Sequence, residues 1–424
     1  MTQEQLLEDI QKIKIIDTHE HLPARESKRP QDTDVLHEYL IHYMNSDILS
    51  SGMPRGEMFR LFDPNLSVGD KWNIVEPWWE NCRLTGYGRS LDLSVRELYD
   101  LPGIHKDTVE ELDRKFKEAR RKGGHYEYVL REKSGIALSV VDSDTDCDSS
   151  LFRSTVNMDS FIIPGSRAQL QHVEFSTGIR LRTFEDWLEA CRKTLNKALD
   201  EGAVVLKSTL AYKRSLDYRQ ATRSAAETGF LDFFRDLHFP GWENPGILPT
   251  KEFQDYMMNF ILSMAEEKGL PVQIHTGILE GNGNRLGNSD PLLLNDLFLR
   301  FPDLQFSIFH MGFPFQNVVS ALVKNFPNVS VDMCWAHIIS PSSSREALYQ
   351  WLDTIPVNKI FGFGGDYGFI DGVCGHQQMA RENIAAALGR LIKEGWLDGE
   401  AALHIACKIL FDNPKRFLKL DLDL

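Results

Sequence analysis

The sequence predicts an α/β protein, a (β/α)8 TIM barrel with a long insertion after strand 1, and three observations carry that prediction. First, four apolar runs end abruptly in a histidine or an aspartate: Ile13 to His21, Pro271 to His275, Leu304 to His310 and Lys359 to Asp366. Parallel strands closed into a barrel bring their carboxyl ends to one face, so residues far apart in the chain converge there. Second, strand-like runs alternate with segments of helical period along most of the chain. Third, residues 22–132 do not follow that alternation and read as a mainly helical, lid-like insertion.

Met1 to Lys14 mixes Glu, Gln, Lys and Leu at helical spacing and opens the chain as a short helix. Strand one follows and ends at His19. Within the insertion, Pro, Gly, Trp and Asp recur between Pro23 and Gly103, with helices expected at Asp34–Asn45 and Ser94–Tyr99 and a charged helix at Lys106–Lys122. Strand two is expected at Gly135–Asp142 and strand three at Asn157–Pro164, followed by a crossover helix at Thr183–Glu201 whose Phe184, Trp187, Leu188, Cys191, Leu195 and Leu199 share one face. Ala203–Thr209 is strand four, a long polar link leads to a helix at Thr250–Lys268, and strand five ends at His275. The remaining units are Pro291–Arg300 (helix), Leu304–His310 (strand), Asn317–Phe326 (helix), Asn328–Cys334 (strand), Ser344–Asp353 (helix), Lys359–Asp366 (strand), Met379–Glu394 (helix) and a terminal helix at Gly399–Phe411. Without a second core, residues 1–424 are read as a single barrel domain.

Composition narrows the function classes. With 42% hydrophobic and 25% charged residues the chain is able to bury a large core. A formal charge of -14 disfavours nucleic acid and anionic membrane as partners. No run approaches the roughly 20 apolar residues that cross a bilayer, and the amino terminus has no signal-peptide core. The six cysteines fall without paired spacing, as expected of a cytoplasmic protein. A homo-oligomer stays open, since no interface is readable.

The strand ends carry the chemistry. Side chains two apart on a strand point to one face, so His19 and His21 would present two imidazoles to a single ion. Neutral imidazole is the commonest protein ligand for zinc and its neighbours. His275, His310, Asp366 and Lys207 at other strand ends add donors or charge at the same face. Glu76 to Arg89, with Trp78, Trp79, Arg83, Tyr87 and Arg89, concentrates aromatic and basic groups suited to closing over a small ligand, although packing is the commoner use of large aromatics. Tyr212, Lys213, Arg285, Trp335, Tyr367 and His376 lie just beyond strand ends and are candidate substrate contacts, as is Trp79. Arg285 stands out because a guanidinium fork matches a carboxylate.

Asp17-Thr-His19-Glu-His21, with Lys207, His275, His310 and Asp366 on strands four, five, six and eight, resembles the amidohydrolase superfamily of metal-dependent barrels. The Trp78-Trp79 pair, the run Lys207 to Arg214 and His275-Thr-Gly look like the amidohydrolase-related branch found fused to glutamine-synthetase-like domains. The long insertion and the run His275 to Arg285 are also similar to uronate isomerases, whose pattern departs from this one in lacking a counterpart of His310. The resemblance implies His19, His21, His275 and Asp366 as ligands of a divalent metal, zinc foremost, with one or two ions. It implies Asp366 also as the proton acceptor. His310 would bind a second metal or polarise the substrate carbonyl. Lys207 would bridge two metals if carboxylated, or pair with a substrate carboxylate.

The expected function is therefore a metal-dependent hydrolase that cleaves a C–N or ester bond of a small polar, carboxylate-bearing substrate. The alternatives are a uronate-type aldose-ketose isomerase, a metal-dependent decarboxylase, and a non-catalytic binding module.

Overall fold

A computed structural model of the chain describes residues 2–30, 32–142, 146–237 and 248–422. Eight strands follow one another in chain order as one parallel sheet: β1 Ile15–Glu20, β2 Ile136–Val141, β3 Phe152–Asn157, β4 Val205–Ser208, β5 Val272–Ile274, β6 Phe306–Ile308, β7 Val329–Asp332 and β8 Ile360–Phe361. The segment after β8 returns to β1 through Thr18 N to Phe363 O (3.2 Å), Asp366 N to His19 O (2.8 Å) and His21 N to Tyr367 O (3.0 Å). The (β/α)8 barrel is the fold the sequence predicts. Register aligns Lys207 with Gln273 and Gln273 with Ser307, so β4, β5 and β6 finish at one level.

Local sequence explains the better-read elements. The helix Phe184–Asp200 opens with a capping box between Thr183 and Asp186 and buries Phe184, Trp187, Leu188, Cys191 and Leu195 along one stripe. Full burial of each large apolar side chain contributes roughly 1.5–3 kcal/mol before the entropy of ordering is set against it. The helix Lys251–Lys268 is capped by Thr250 and stops at Gly269, which takes the left-handed conformation. A second apolar cluster joins Ile16, Leu138, Val205 and Phe361 of four strands to Phe411, Phe417 and Leu420 of the carboxyl-terminal segment.

Four expectations are corrected. Strand three is Phe152–Asn157, and most of Asn157–Pro164 is a short helix, because Asn157 Oδ1 accepts the Asp159 amide (2.9 Å) and turns the chain into Asp159–Ile162. β3 carries Arg153, Ser154 and Thr155 in place of an apolar run, so no local signal marks it as a strand. The polar link after strand four contains a helix at Arg223–Leu237, while its part at 238–247 lies outside the described residues. The helix after β8 spans Ile370–Lys393, two turns earlier than its apolar period begins. Asp34–Asn45 is broken at Ile41–His42 into helices Val35–Leu40 and Tyr43–Ser50, with His42 at φ 68°.

The insertion also holds helices Arg55–Arg60, Val68–Cys82, Gly86–Tyr99 and Val109–Lys122, of which Ser94–Tyr99 is only the last part of the third. Gly86–Tyr99 lies tightly on Ile370–Lys393: a Cβ at Gly375 would come 1.9 Å from the Ser90 carbonyl oxygen. Among the described residues no helix is long and apolar enough to cross a membrane.

Candidate metal centre

The ends of β1, β5 and β8 meet at the inner wall of a cavity of about 530 Å3, and His310, at the end of β6, is buried against His275. His19 Nε2 and His21 Nε2 stand 3.5 and 3.2 Å from Asp366 Oδ1, and His310 Nδ1 stands 3.8 Å from Asp366 Oδ2. Ligand atoms of His19, His21 and Asp366 lie within 4.8 Å of one another, as do those of His310, Cys334 and Asp366. Three successive strands end in residues with left-handed backbone: His310 (φ 62°), Trp335 (φ 62°) and Asp366 (φ 60°). Such conformations cost non-glycine residues on the order of 1–3 kcal/mol each and cluster at functional sites.

Hydrogen bonding assigns the tautomers. His275 Nε2 meets the Ile278 carbonyl at 2.9 Å and must donate to it, which leaves a lone pair on Nδ1 of the neutral ring. His310 Nδ1 meets the Cys334 carbonyl at 3.0 Å and donates likewise, leaving a lone pair on Nε2. Those two bare nitrogens face each other at 2.9 Å. Burial pulls both imidazoles down, His275 well below its ordinary range and His310 to about 4, so protonation is a costly remedy. A divalent cation answers the repulsion, and a backbone carbonyl fixing the far nitrogen is the usual support of a ligating histidine. His19 fits the same reading: it is fully buried, neither ring nitrogen has a hydrogen-bond partner, and burial followed by the Lys207 charge holds its pKa well below the ordinary value. Burial pushes the Asp366 carboxyl up, but the hydrogen bond from His21, ahead of the neighbouring imidazoles, outweighs it and holds the group well below the ordinary carboxylate range.

Lys207 is 1% exposed, with Nζ 3.6 Å from the centre of the Phe309 ring and no hydrogen bond or ion pair among the described residues. Burial lowers its pKa. Tyr212, whose ring lies 4.9 Å from that of His275, and Lys213 line the cavity rim. Three other sequence candidates are placed elsewhere. Trp79 is 1% exposed and lies 6.3 Å from Trp72, since in the helix Val68–Cys82 it shares a face with Trp72, Val75 and Cys82. Tyr367 is buried, 3.3 Å from Ser90 Oγ through its hydroxyl. Arg285 sits exposed on the loop after β5, outside the cavity lining. Of the further candidates, His376 is buried behind β8, and Trp335 stacks on Tyr43 at 4.5 Å.

Sequence reasoning missed His42 and Tyr43, which the insertion brings into the cavity lining, and Asp142, Asp159 and Glu280 on its other walls. His42 and Tyr43 lie at the kink between two short helices, which looked like an unbroken helix in the sequence. Asp142 ends strand two as an apolar run, the same signal used for Asp366, and that signal was available.

A barrel whose strand ends gather imidazoles and a carboxylate at one mouth is the architecture of the amidohydrolase superfamily. The chain belongs to the amidohydrolase family, whose profile matches residues 166–420, a span that includes Lys207, His275, His310 and Asp366. It is 22% identical over 228 residues to protein fluG of Emericella nidulans, a match covering 52% of this chain and 26% of that protein. It is also 22% identical over 266 residues to uronate isomerase of Caulobacter vibrioides, covering 58% of this chain and 52% of the isomerase. These matches thus reach about a quarter and about half of the relatives' lengths. The crystal structure of glucuronate isomerase from Caulobacter crescentus superposes with a TM-score of 0.78 at 16% identity, over 100% of this chain and 94% of that one, a likeness of fold.

Proposed function

We propose that this chain is a metal-dependent hydrolase cleaving a C–N or ester bond of a small polar, carboxylate-bearing substrate. The observation that carries the reading is the pair of bare nitrogens on His275 and His310, set beside the unpartnered His19 and the ionised Asp366. His19, His21, His275 and Asp366 would hold a divalent ion, zinc foremost. His310 would serve as a further nitrogen ligand, because its Nδ1 hydrogen is committed to Cys334 and cannot polarise a carbonyl. When bound, such an ion lowers the pKa of its water toward about 7 and polarises a carbonyl oxygen.

The chain's own groups would do the rest. Asp366 accepts the proton of the attacking water and returns it to the leaving group. Lys207, a cation with no ion pair inside the barrel mouth, pairs with a substrate carboxylate. Lys213 and Tyr212 orient the outer part of the ligand. Residues 22–132 form a fixed wall over the site, since Tyr39 and Tyr99 donate to the buried carboxylate of Asp371 (2.7 and 2.6 Å) and His125 meets it at 2.7 Å. Six unpaired thiols, four of them buried, suit a reducing compartment such as the cytoplasm.

A second reading, aldose-ketose isomerisation of uronates, draws on the similarity to uronate isomerases and on their shared fold. Incubating zinc-loaded protein with a panel of N-acyl amino acids, small amides and uronates separates the two. Release of a free amine or acid supports hydrolysis, whereas ketose formation without bond cleavage overturns it in favour of the isomerase.

A further inference from the structure

We propose that Glu20 and His376, neither of which lines the cavity, are positioning residues that aim the Asp366 carboxylate through its backbone. The inference rests on the metal-centre reading above. Across Gly365, Asp366 and Tyr367 every backbone polar group is bonded. The three amides donate to Asp17 Oδ1 (3.0 Å), the His19 carbonyl (2.8 Å) and Glu20 Oε2 (2.7 Å). The three carbonyls accept from His376 Nδ1 (3.1 Å), the Tyr43 hydroxyl (2.5 Å) and the His21 amide (3.0 Å).

Such saturation answers a specific need. Asp366 sits at φ 60°, where a residue with a side chain is strained and would relax into an ordinary conformation if its flanking peptides were free to rotate. Rotation of either peptide would swing the carboxylate away from His19, His21 and His310 together. Apart from the contact of Glu20 with the Asp17 carboxyl, Glu20 and His376 are the two holders that contribute nothing else visible among the described residues. Glu20, between His19 and His21 in the chain, is fully buried, and its Oε1 has no hydrogen-bond partner among the described residues. A Cβ at Gly365 would come 1.8 Å from that oxygen, so a glycine is required there for Glu20 to reach the Tyr367 amide. His376 is fully buried, and its Nε2 is likewise unpartnered, leaving the Gly365 carbonyl as its one hydrogen-bond partner. Burying a polar ring and a carboxyl for one backbone bond each is costly unless the geometry those bonds impose is used.

The test titrates the full chain, freed of metal, with Co(II) alone and follows the visible ligand-field bands, while thermal unfolding reports the fold. Glu20→Ala and His376→Phe are each expected to weaken Co(II) binding on the order of 10- to 100-fold and to alter the bands. Glu20→Gln, which keeps an acceptor for the Tyr367 amide, is expected to bind within about threefold of wild type. If Glu20→Ala does not fold, His376→Phe and Glu20→Gln decide the matter. Wild-type affinity and bands in folded Glu20→Ala or His376→Phe overturn the positioning role, as does a loss in Glu20→Gln as large as that expected for alanine. Failure of the wild-type chain to bind Co(II) overturns the metal-centre reading and this inference with it, whereas the variant outcomes bear on the inference alone.

Discussion

Asp366 and Asp371 are both buried aspartates five positions apart, both held below the ordinary carboxylate range and both faced by histidine, yet their surroundings differ in one respect. The Asp371 carboxylate is saturated by Tyr39, Tyr99 and His125, all from the insertion. The Asp366 carboxylate faces His19, His21 and His310 at 3.2–3.8 Å, and two of those rings have nitrogens still needing a partner. A closed set of donors stabilises a fold, whereas an open set of acceptors awaits a cation. The difference is what places Asp371 in the architecture and supports the proposed chemical role of Asp366, although their pKa shifts run in the same direction.

The largest expected effect falls on the open side. His19→Ala combined with His21→Ala should reduce metal content from about one ion per chain to near zero, because a site of this kind needs three or four protein ligands. Elemental analysis of protein purified without chelator checks it, and near-stoichiometric metal in the double variant would erase the contrast between the two aspartates. Next comes His310→Asn, expected to fold and keep at least one ion while the loss of a nitrogen ligand lowers turnover of a hydrolysed substrate by at least the roughly 10- to 100-fold typical of losing a partner at a metal site. Steady-state kinetics with kcat and KM resolved would show it. A rate near that of the parent would reduce His310 to a packed side chain and remove the main argument for hydrolysis over isomerisation.

The closed side should respond in stability. Asp371→Asn is expected to lower unfolding free energy at pH 7 by about 3 kcal/mol, the cost of breaking a buried charged cluster. Burial raises the Asp371 carboxyl, but His125, Arg29 and Tyr99 together outweigh it, so its folded pKa lies below its unfolded value. That contribution is fully present above the unfolded pKa of about 4 and is lost as pH falls through the folded value, so the gap between parent and variant should close in acid. Denaturant titrations at several pH values would measure this. A gap that instead widens below pH 4 would refute the assignment. The smallest effect is expected at the rim, where Lys213→Ala should raise KM by about twofold to fivefold with kcat preserved, as for an exposed charge contact.

The barrel was legible because most of its strands are apolar runs, several with a chemically distinctive residue at the end, a local signal that survives without coordinates. His19, His21, His275, His310, Asp366 and Lys207 were found this way, and the fold brings them together. The capped helices Phe184–Asp200 and Lys251–Lys268 were read nearly to their ends because threonine caps and a single apolar stripe are also local. β3 was misplaced because a strand carrying Arg153, Ser154 and Thr155 offers no hydrophobic run.

The tertiary structure alone decided the rest. Trp79 looked like a lid residue until its helix face turned it onto Trp72, and His42 and Tyr43 reached the cavity only because the chain breaks at Ile41–His42. The contacts of Glu20 and His376 with the backbone around Asp366 span hundreds of positions or pass between separate elements, and no local pattern announces them. Hydrophobic period and strand ends are written residue by residue. Tautomers, left-handed turns and hydrogen-bond saturation are properties of groups that meet only after the barrel has closed, which is why the sequence determined which residues would gather and only the fold decided how they are held.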